Sequence, residues 1–204
     1  MSLFHKNILA GASGAAGGAG AATYVDDVFS TFLYTGTADT RDIANGIDLD
    51  GEGGLVWIRS RINNRNHQLF DTERGVNNTL ISNGTGEAVF DAGGRKLQAF
   101  NDDGFELGSD SLVNANEETY VSWTFRKAPG FFDVVTYTGN STAGRTVPHN
   151  LGSVPGVIIV KNLSTPSNWP VFHRSLGATK IVELNELDDA TTTSAYWNDT
   201  APTS

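Results

Sequence analysis

Gly54-Leu55-Val56-Trp57-Ile58-Arg59-Ser60 reappears as Gly156-Val157-Ile158-Ile159-Val160-Lys161-Asn162. Each is a short apolar run opened by glycine, the pattern of a strand buried on both faces or set in a sandwich core. The two runs stand 102 positions apart. The same shift pairs Leu49 with Leu151, Asn66 with Asn168, Phe70 with Phe172, Gly75 with Gly177 and Asn83 with Asn185. Upstream, Phe29 and Tyr34-Thr35-Gly36 match Phe132 and Tyr137-Thr138-Gly139, one residue out of register. A period this long means a duplicated small domain, not a solenoid. The stretch Leu97 to Pro129 has almost no counterpart before Ser204, so the second copy lacks its last third. A partial sandwich exposes its inner face and an open sheet edge, which is costly. The expectation is that the natural chain continues past Ser204 or that another chain supplies the missing strands.

Working outward, the rest of the chain also reads as short strands. Phe29 to Tyr34, Gln68-Leu69-Phe70 and Thr79 to Ile81 are brief runs closed by turn residues. Leu97-Gln98-Ala99-Phe100 and Phe105-Glu106-Leu107 flank Asn101-Asp102-Asp103-Gly104. Asp-Gly between apolar runs signals a hairpin, because glycine accepts positive φ without steric cost. Tyr120 to Arg126 is the clearest strand, with Val121, Trp123 and Phe125 on one face and Ser122 and Thr124 on the other. Lys127-Ala128-Pro129-Gly130 breaks the chain. The second copy then reads as strands at Phe131 to Tyr137, Thr146-Val147, Val157 to Lys161, Val171-Phe172 and Ile181 to Leu184. No amphipathic helix of ten or more residues is evident. Many short strands with turn signals predict an all-β, antiparallel β-sandwich. The expected organisation is a flexible Gly/Ala-rich N-terminal segment over residues 1–22, a complete module over 23–129 and a partial second module over 130–204.

Composition narrows the function classes. The 204 residues include 23 glycines and no cysteine, and the formal net charge is −9. Glycine-rich chains with abundant Asn, Thr and Asp suit tight turns. The acidic balance repels phosphate backbones and argues against nucleic acid as a partner. Without cysteine there are no disulfides and no thiolate metal sites. No run approaches the roughly 18 apolar residues of a membrane helix, so no membrane partner is expected. The head Met1 to Ala10 falls short of the apolar stretch of about 7–15 residues in a signal peptide. Its apolar residues Leu3, Phe4, Ile8 and Leu9 precede a Gly/Ala/Ser stretch from Gly11 to Ala22. Such stretches are flexible linkers. A short apolar head on a leash suggests an anchor that docks into another protein, the plainer alternative being a disordered terminus.

The search for chemistry gives little. The histidines His5, His67, His149 and His173 show no metal-ligand spacing. Asp48-Leu49-Asp50-Gly51-Glu52-Gly53 resembles the start of a calcium loop, but the twelfth position is Arg59 where a glutamate is needed. There is no Gly-x-Ser-x-Gly elbow and no phosphate-cradling loop before a helix. Neither catalytic residues, nor a metal, nor a cofactor is expected. Trp57 and Trp123 lie inside strands and are assigned to the core. Trp169 and Trp197 sit in polar, turn-like contexts and are the candidates for glycan or protein contact.

Several segments together resemble one family. They are Gly53 to Arg61, His67-x-Leu69-Phe70-Asp71-Thr72-x-Arg74-Gly75, Asp103-Gly104-Phe105, Tyr120-Val121-x-Trp123-Thr124-Phe125-Arg126-Lys127-Ala128-Pro129, His149 to Gly156 and Tyr196 to Thr200. The set is similar to repeat modules in tail-fibre and other virion structural proteins of tailed, often marine, bacteriophages. The resemblance runs from about Tyr24 to the end, although in that family the module continues into further strands. It implies a concanavalin-like or jelly-roll-like sandwich, a non-enzymatic virion appendage that is commonly a homotrimer, and an N-terminal segment attaching it to the tail. On this reading residues 1–22 meet a tail adaptor, nozzle or other virion protein, and the chain is made in the host cytoplasm and resides in the virion. The alternatives are a carbohydrate-binding module that recognises a host surface glycan, a capsid decoration protein and, from the enzyme class, a polysaccharide depolymerase.

Overall fold

The computed structural model describes residues 23–204. The expected anchor residues Leu3, Phe4, Ile8 and Leu9 lie outside them. In chain order the elements are α1 (Val25–Val28), β1 (Phe29–Thr35), β2 (Arg41–Ala44), β3 (Gly54–Ser60), β4 (Gln68–Asp71), β5 (Asn78–Thr79), β6 (Val89–Phe90), β7 (Leu97–Asn101), β8 (Gly104–Leu107), α2 (Ser111–Asn114), β9 (Thr119–Arg126), β10 (Val157–Ile159), β11 (Pro170–His173), β12 (Lys180–Glu183) and β13 (Thr191–Thr192). The fold is all-β and antiparallel, and both helices are single turns.

The first module is a sandwich of two sheets. One has the order β1-β9-β3-β4, the other β2-β8-β7. Tyr34, Val56, Ile58, Phe70 and Tyr120 on the first sheet meet Ile43, Leu97, Phe105 and Leu107 on the second. Ile47, Leu49 and Val113 close the ends of this core. Tyr34 and Tyr120 stack with ring centroids 5.2 Å apart. Their hydroxyls donate to the carbonyls of Val113 (2.7 Å) and Ser111 (2.9 Å), which fastens α2 over the core edge. Burial raises the Tyr34 phenol well above its ordinary value. Asp102-Asp103 turns β7 into β8 as the sequence signal required, and Gly104 at φ +154° abuts the Ile43 carbonyl, leaving no room for a Cβ.

β9 is turned the opposite way from its hydrophobic pattern. Tyr120, Ser122 and Thr124 face the core, whereas Trp123 and Phe125 lie half-buried on the outer face. Trp57 is on that outer face as well, so the assignment of Trp57 and Trp123 to the core is corrected. Volume is the physical reason. Phe32 and Ile58 sit opposite Ser122, and Val56 sits opposite Thr124, so only small side chains fit between them. Thr124 also receives a hydrogen bond from the Asn45 side-chain amide at 2.8 Å.

The second module repeats the first down to its register. β10 meets β11 through Ile158↔Phe172, as β3 meets β4 through Val56↔Phe70. The bridge Leu69↔Leu80 becomes Val171↔Val182, and Asn78↔Phe90 becomes Lys180↔Thr192. The Asn83 amide donates to Asn66 Oδ1 at 3.1 Å, and the Asn185 amide donates to Asn168 Oδ1 at 3.0 Å. Gly75 and Gly177 share a left-handed backbone, φ +81° and +77°. These are the residues that the repeat singled out. The strands expected at Phe131 to Tyr137 and at Thr146-Val147 are absent, and that stretch carries only the bridge Ala128↔Phe132. Its template β1 pairs with β9 alone, and among the described residues no strand of the second module takes the place of β9, so this segment has no ladder to join.

An ion pair anchors the chain as it enters β9. Arg65 Nε and Nη2 reach both carboxylate oxygens of Glu118 at 2.8–2.9 Å, and the Glu118 side chain is 4% exposed. The Arg65 guanidinium holds the Glu118 carboxyl at about 2, below its ordinary 4.5. A depressed value means that the pair stabilises the fold above pH 4.5, and that the contribution fades as pH falls towards about 2. Glu118→Gln is therefore expected to lower stability by about 1–2 kcal/mol at neutral pH. Near pH 2 the variant and parent should converge in urea unfolding, and a gap that persists there contradicts the assignment. A second expectation concerns Gly54, where a Cβ would overlap the Phe125 carbonyl oxygen on β9. Gly54→Ala should cost about 2–3 kcal/mol in the same measurement, through forced separation of β3 and β9.

Candidate functional site

Chemical groups in this fold are dispersed. Among the described residues no three His, Asp or Glu side chains gather closely enough to hold a metal ion. His67 accepts the Trp57 indole N–H at 3.3 Å, and burial lowers its pKa. His149 lies at a loop 3.1 Å from the Thr203 carbonyl, and His173 lies on β11. The run Asp48 to Gly53 forms a turn in which Asp48 Oδ1 accepts the Gly51 N–H at 2.8 Å. Asp42, Asp50, Asp102 and Asp103 line an open depression together with Phe100 and Asn101. The Asn101 amide donates to Asp42 there at 3.2 Å.

The most built surface is the outer face of the β1-β9-β3-β4 sheet, where the second module sits. Alternation along the strands places Phe29, Leu55, Trp57, Leu69, Trp123 and Phe125 on this face. Trp57 meets Trp123 edge-on at 5.9 Å. Phe125 has Phe29 at 4.9 Å on one side and Phe132 at 5.3 Å on the other. At the far end Trp169 joins Leu69 and Leu80 in a small core of their own, flanked by Leu55, Trp57 and Ala88. Trp169 is 4% exposed, and its indole N–H donates to the Gly84 carbonyl at 2.9 Å.

Polar groups lock the same junction. The Ser167 N–H donates to the Thr85 carbonyl at 2.9 Å. The Lys161 ammonium donates to the carbonyls of Thr85 (3.2 Å), Asn162 (2.9 Å) and Ser167 (3.1 Å), and lies 5.9 Å from the Trp169 ring centroid. Burial lowers the Lys161 pKa. At the opposite end the Lys127 ammonium bonds Glu73 at 2.6 Å and approaches Asp133 at 3.5 Å, and this pairing raises its pKa. The second module is thus clamped to the first at two aromatic patches with a cation at each.

This geometry sorts the sequence candidates. Trp169 does make a protein contact, but within the chain, and its ring is closed to solvent. Trp197 packs edge-on against Phe172 at 5.8 Å, and its indole N–H has no hydrogen-bond partner among the described residues. The structure does not bring Trp169 and Trp197 together in one contact. Lys161, Ser167, Phe131 and Phe132 were not read from the sequence as junction residues. The one available signal was the cationic Lys161 inside an otherwise apolar repeat, at the position Arg59 holds in the first copy.

The clamp has a direct test. Trp169→Ala removes a buried indole and orphans the Gly84 carbonyl, so it should cost about 3–5 kcal/mol. Urea unfolding followed by fluorescence should then split, with the second module lost first. A single unshifted transition contradicts the clamp.

Comparison with curated proteins gives no match, and comparison with solved structures gives none either. Residues 25–204 match a family model described as Domain of unknown function (DUF7483), a span that takes in both modules. The chain belongs to the DUF7483 family.

Proposed function

We propose that the chain is a bacteriophage virion structural protein, the virion-proximal part of a tail fibre, non-enzymatic and trimeric, attached through residues 1–22. The observation that carries this reading is the register-matched duplication, with the sheet of the second module clamped on the outer sheet of the first behind a Gly/Ala-rich segment. Tandem modules on a leash suit an elongated appendage, and the resemblance to phage tail-fibre modules supplies its identity. The exposed Leu33 on the outer face of β1 fits burial against symmetry mates. Deleting residues 1–22 should leave a folded, soluble β protein that no longer enters particles, and normal incorporation of the deletion overturns the anchor. Native mass spectrometry should give three times the 21.8 kDa chain mass.

A second reading, glycan recognition, draws on Tyr196, which is 47% exposed and lies beside Trp197 with ring centroids 6.4 Å apart. Neighbouring aromatic rings, one of them exposed, can stack on a sugar. A glycan array with no signal removes this reading and leaves the fibre reading intact.

A further inference from the structure

Asparagine stands directly before glycine at Asn45-Gly46 and at Asn83-Gly84. This dipeptide carries chemistry of its own. A glycine nitrogen has no side chain beside it, so it can close on the preceding side-chain amide and form a five-membered imide. The fold treats the two pairs differently. The Gly46 N–H donates to the Asp103 carbonyl at 2.9 Å, and the half-buried Asn45 amide donates to Thr124 at 2.8 Å. The attacking nitrogen and the leaving nitrogen are both held there. Asn83 is exposed, and the Gly84 N–H reaches only the Ile81 carbonyl, at 3.4 Å. The His67 backbone N–H donates to Asn83 Oδ1 at 2.9 Å. It polarises the side-chain carbonyl and steadies the negative charge that gathers on this oxygen during attack.

The second module repeats the turn without the glycine. Asn185 is the counterpart of Asn83, and its Oδ1 accepts the Trp169 N–H at 2.9 Å. Its amide donates to Asn168 at 3.0 Å, as the Asn83 amide donates to Asn66 at 3.1 Å. The next N–H, that of Glu186, reaches the Glu183 carbonyl at 3.3 Å, the same loose contact that Gly84 makes with Ile81. Glu186 places a side chain beside the attacking nitrogen, and its Oε1 accepts from the Asn185 amide at 2.9 Å. One chain thus holds a reactive and an unreactive form of one turn. Position gives the reactive form its consequence. The Gly84 carbonyl accepts the Trp169 indole N–H at 2.9 Å. The Thr85 carbonyl accepts the Ser167 N–H at 2.9 Å and the Lys161 ammonium at 3.2 Å. The two carbonyls that follow Asn83 are the ones that the second module grips.

We propose that Asn83-Gly84 is a self-modifying site whose conversion loosens the junction between the modules. Hydroxide takes the Gly84 N–H proton, and the nitrogen attacks Asn83 Cγ. A C–N bond forms, the Cγ–Nδ2 bond breaks, and Nδ2 leaves as ammonia with a proton from water. Water then opens the imide. Cleavage at Cγ gives aspartate, and cleavage at the main-chain carbonyl gives isoaspartate, in which the backbone runs through Cβ and Cγ. Neither product needs an enzyme or a redox partner. Both put a carboxylate against Asn66 Oδ1, where the amide donated before. Isoaspartate also inserts a methylene into the main chain just ahead of Gly84, which shifts the carbonyls that meet Trp169, Ser167 and Lys161. The proposal stands apart from the virion reading and does not require it.

The test is to incubate the folded full chain in mildly alkaline buffer and to map its peptides by mass spectrometry, which separates asparagine, aspartate and isoaspartate at each position. Asn83 should convert about tenfold faster than Asn45 or Asn185. In chain unfolded by urea, Asn45 and Asn83 should convert at similar rates, because the fold sets their difference. A Cβ at Gly84 meets only Ile81 Cγ2, at 3.5 Å, so Gly84→Ala fits the structure. This variant should unfold as the parent does and convert about tenfold more slowly at Asn83. Converted protein, separated by its added negative charge on ion exchange, should unfold in urea in two steps with the second module lost first. The proposal is overturned if Asn83 keeps its amide while Asn45 loses it, or if Gly84→Ala converts as fast as the parent. A gap between Asn45 and Asn83 that persists in urea also overturns it. So does converted protein that unfolds in a single transition coincident with that of unconverted protein.

Discussion

The structure depends on one strand, β9, having a neighbour on each edge. Seven residues of β1 and seven of β3 pair with it, and the two halves of the main sheet meet nowhere else. A strand with both edges satisfied carries no exposed row of amides and carbonyls. Other features serve that placement. Gly54 lets the backbones approach, Ser122 and Thr124 keep the inner face thin, and Arg65 with Glu118 fixes the entry to the strand. Among the described residues of the second copy no strand stands in this place, and there the β1 counterpart is irregular while β10, β11, β12 and β13 persist. The comparison inside one chain separates what the local sequence specifies from what a neighbour must supply.

That separation explains what could be read from residues alone. The duplication was legible because the paired glycines and asparagines make the same turn and amide contacts in each copy. The Asp-Gly hairpin was legible because it is a local rule. The facing of β9 was not, because alternation reports which residues share a face and not which face meets the core. Trp57, Trp123 and Phe125 on the outer face are half-buried as well, so the usual contrast between wet and dry sides is weakened there. Trp169 misled for a related reason. Its polar, proline-flanked surroundings suit an exposed loop, but the residue is buried by another module, 85 positions away at Gly84.

The ionisable groups serve architecture. Glu118, Lys127 and Lys161 are among the perturbed charges, and each is explained by a partner or a burial that ties two segments together. Shifted values of this kind mark ion-pair knots as readily as they mark active sites. For the proposed function, the relevant chemistry is that of surfaces: an aromatic sheet face and the acidic depression at the β7–β8 turn.

The clamp between modules also has a mechanical meaning. Trp169, Lys161 and Ser167 all grip the short stretch at Gly84 and Thr85, whereas the sheet beneath is laced by rows of hydrogen bonds set across its strands. Tension drawn between the modules loads the few grips at Gly84 and Thr85 before it loads the ladder. The joint therefore yields first and the sheets on either side stay whole, so the chain is compliant at the junction and stiff within each module.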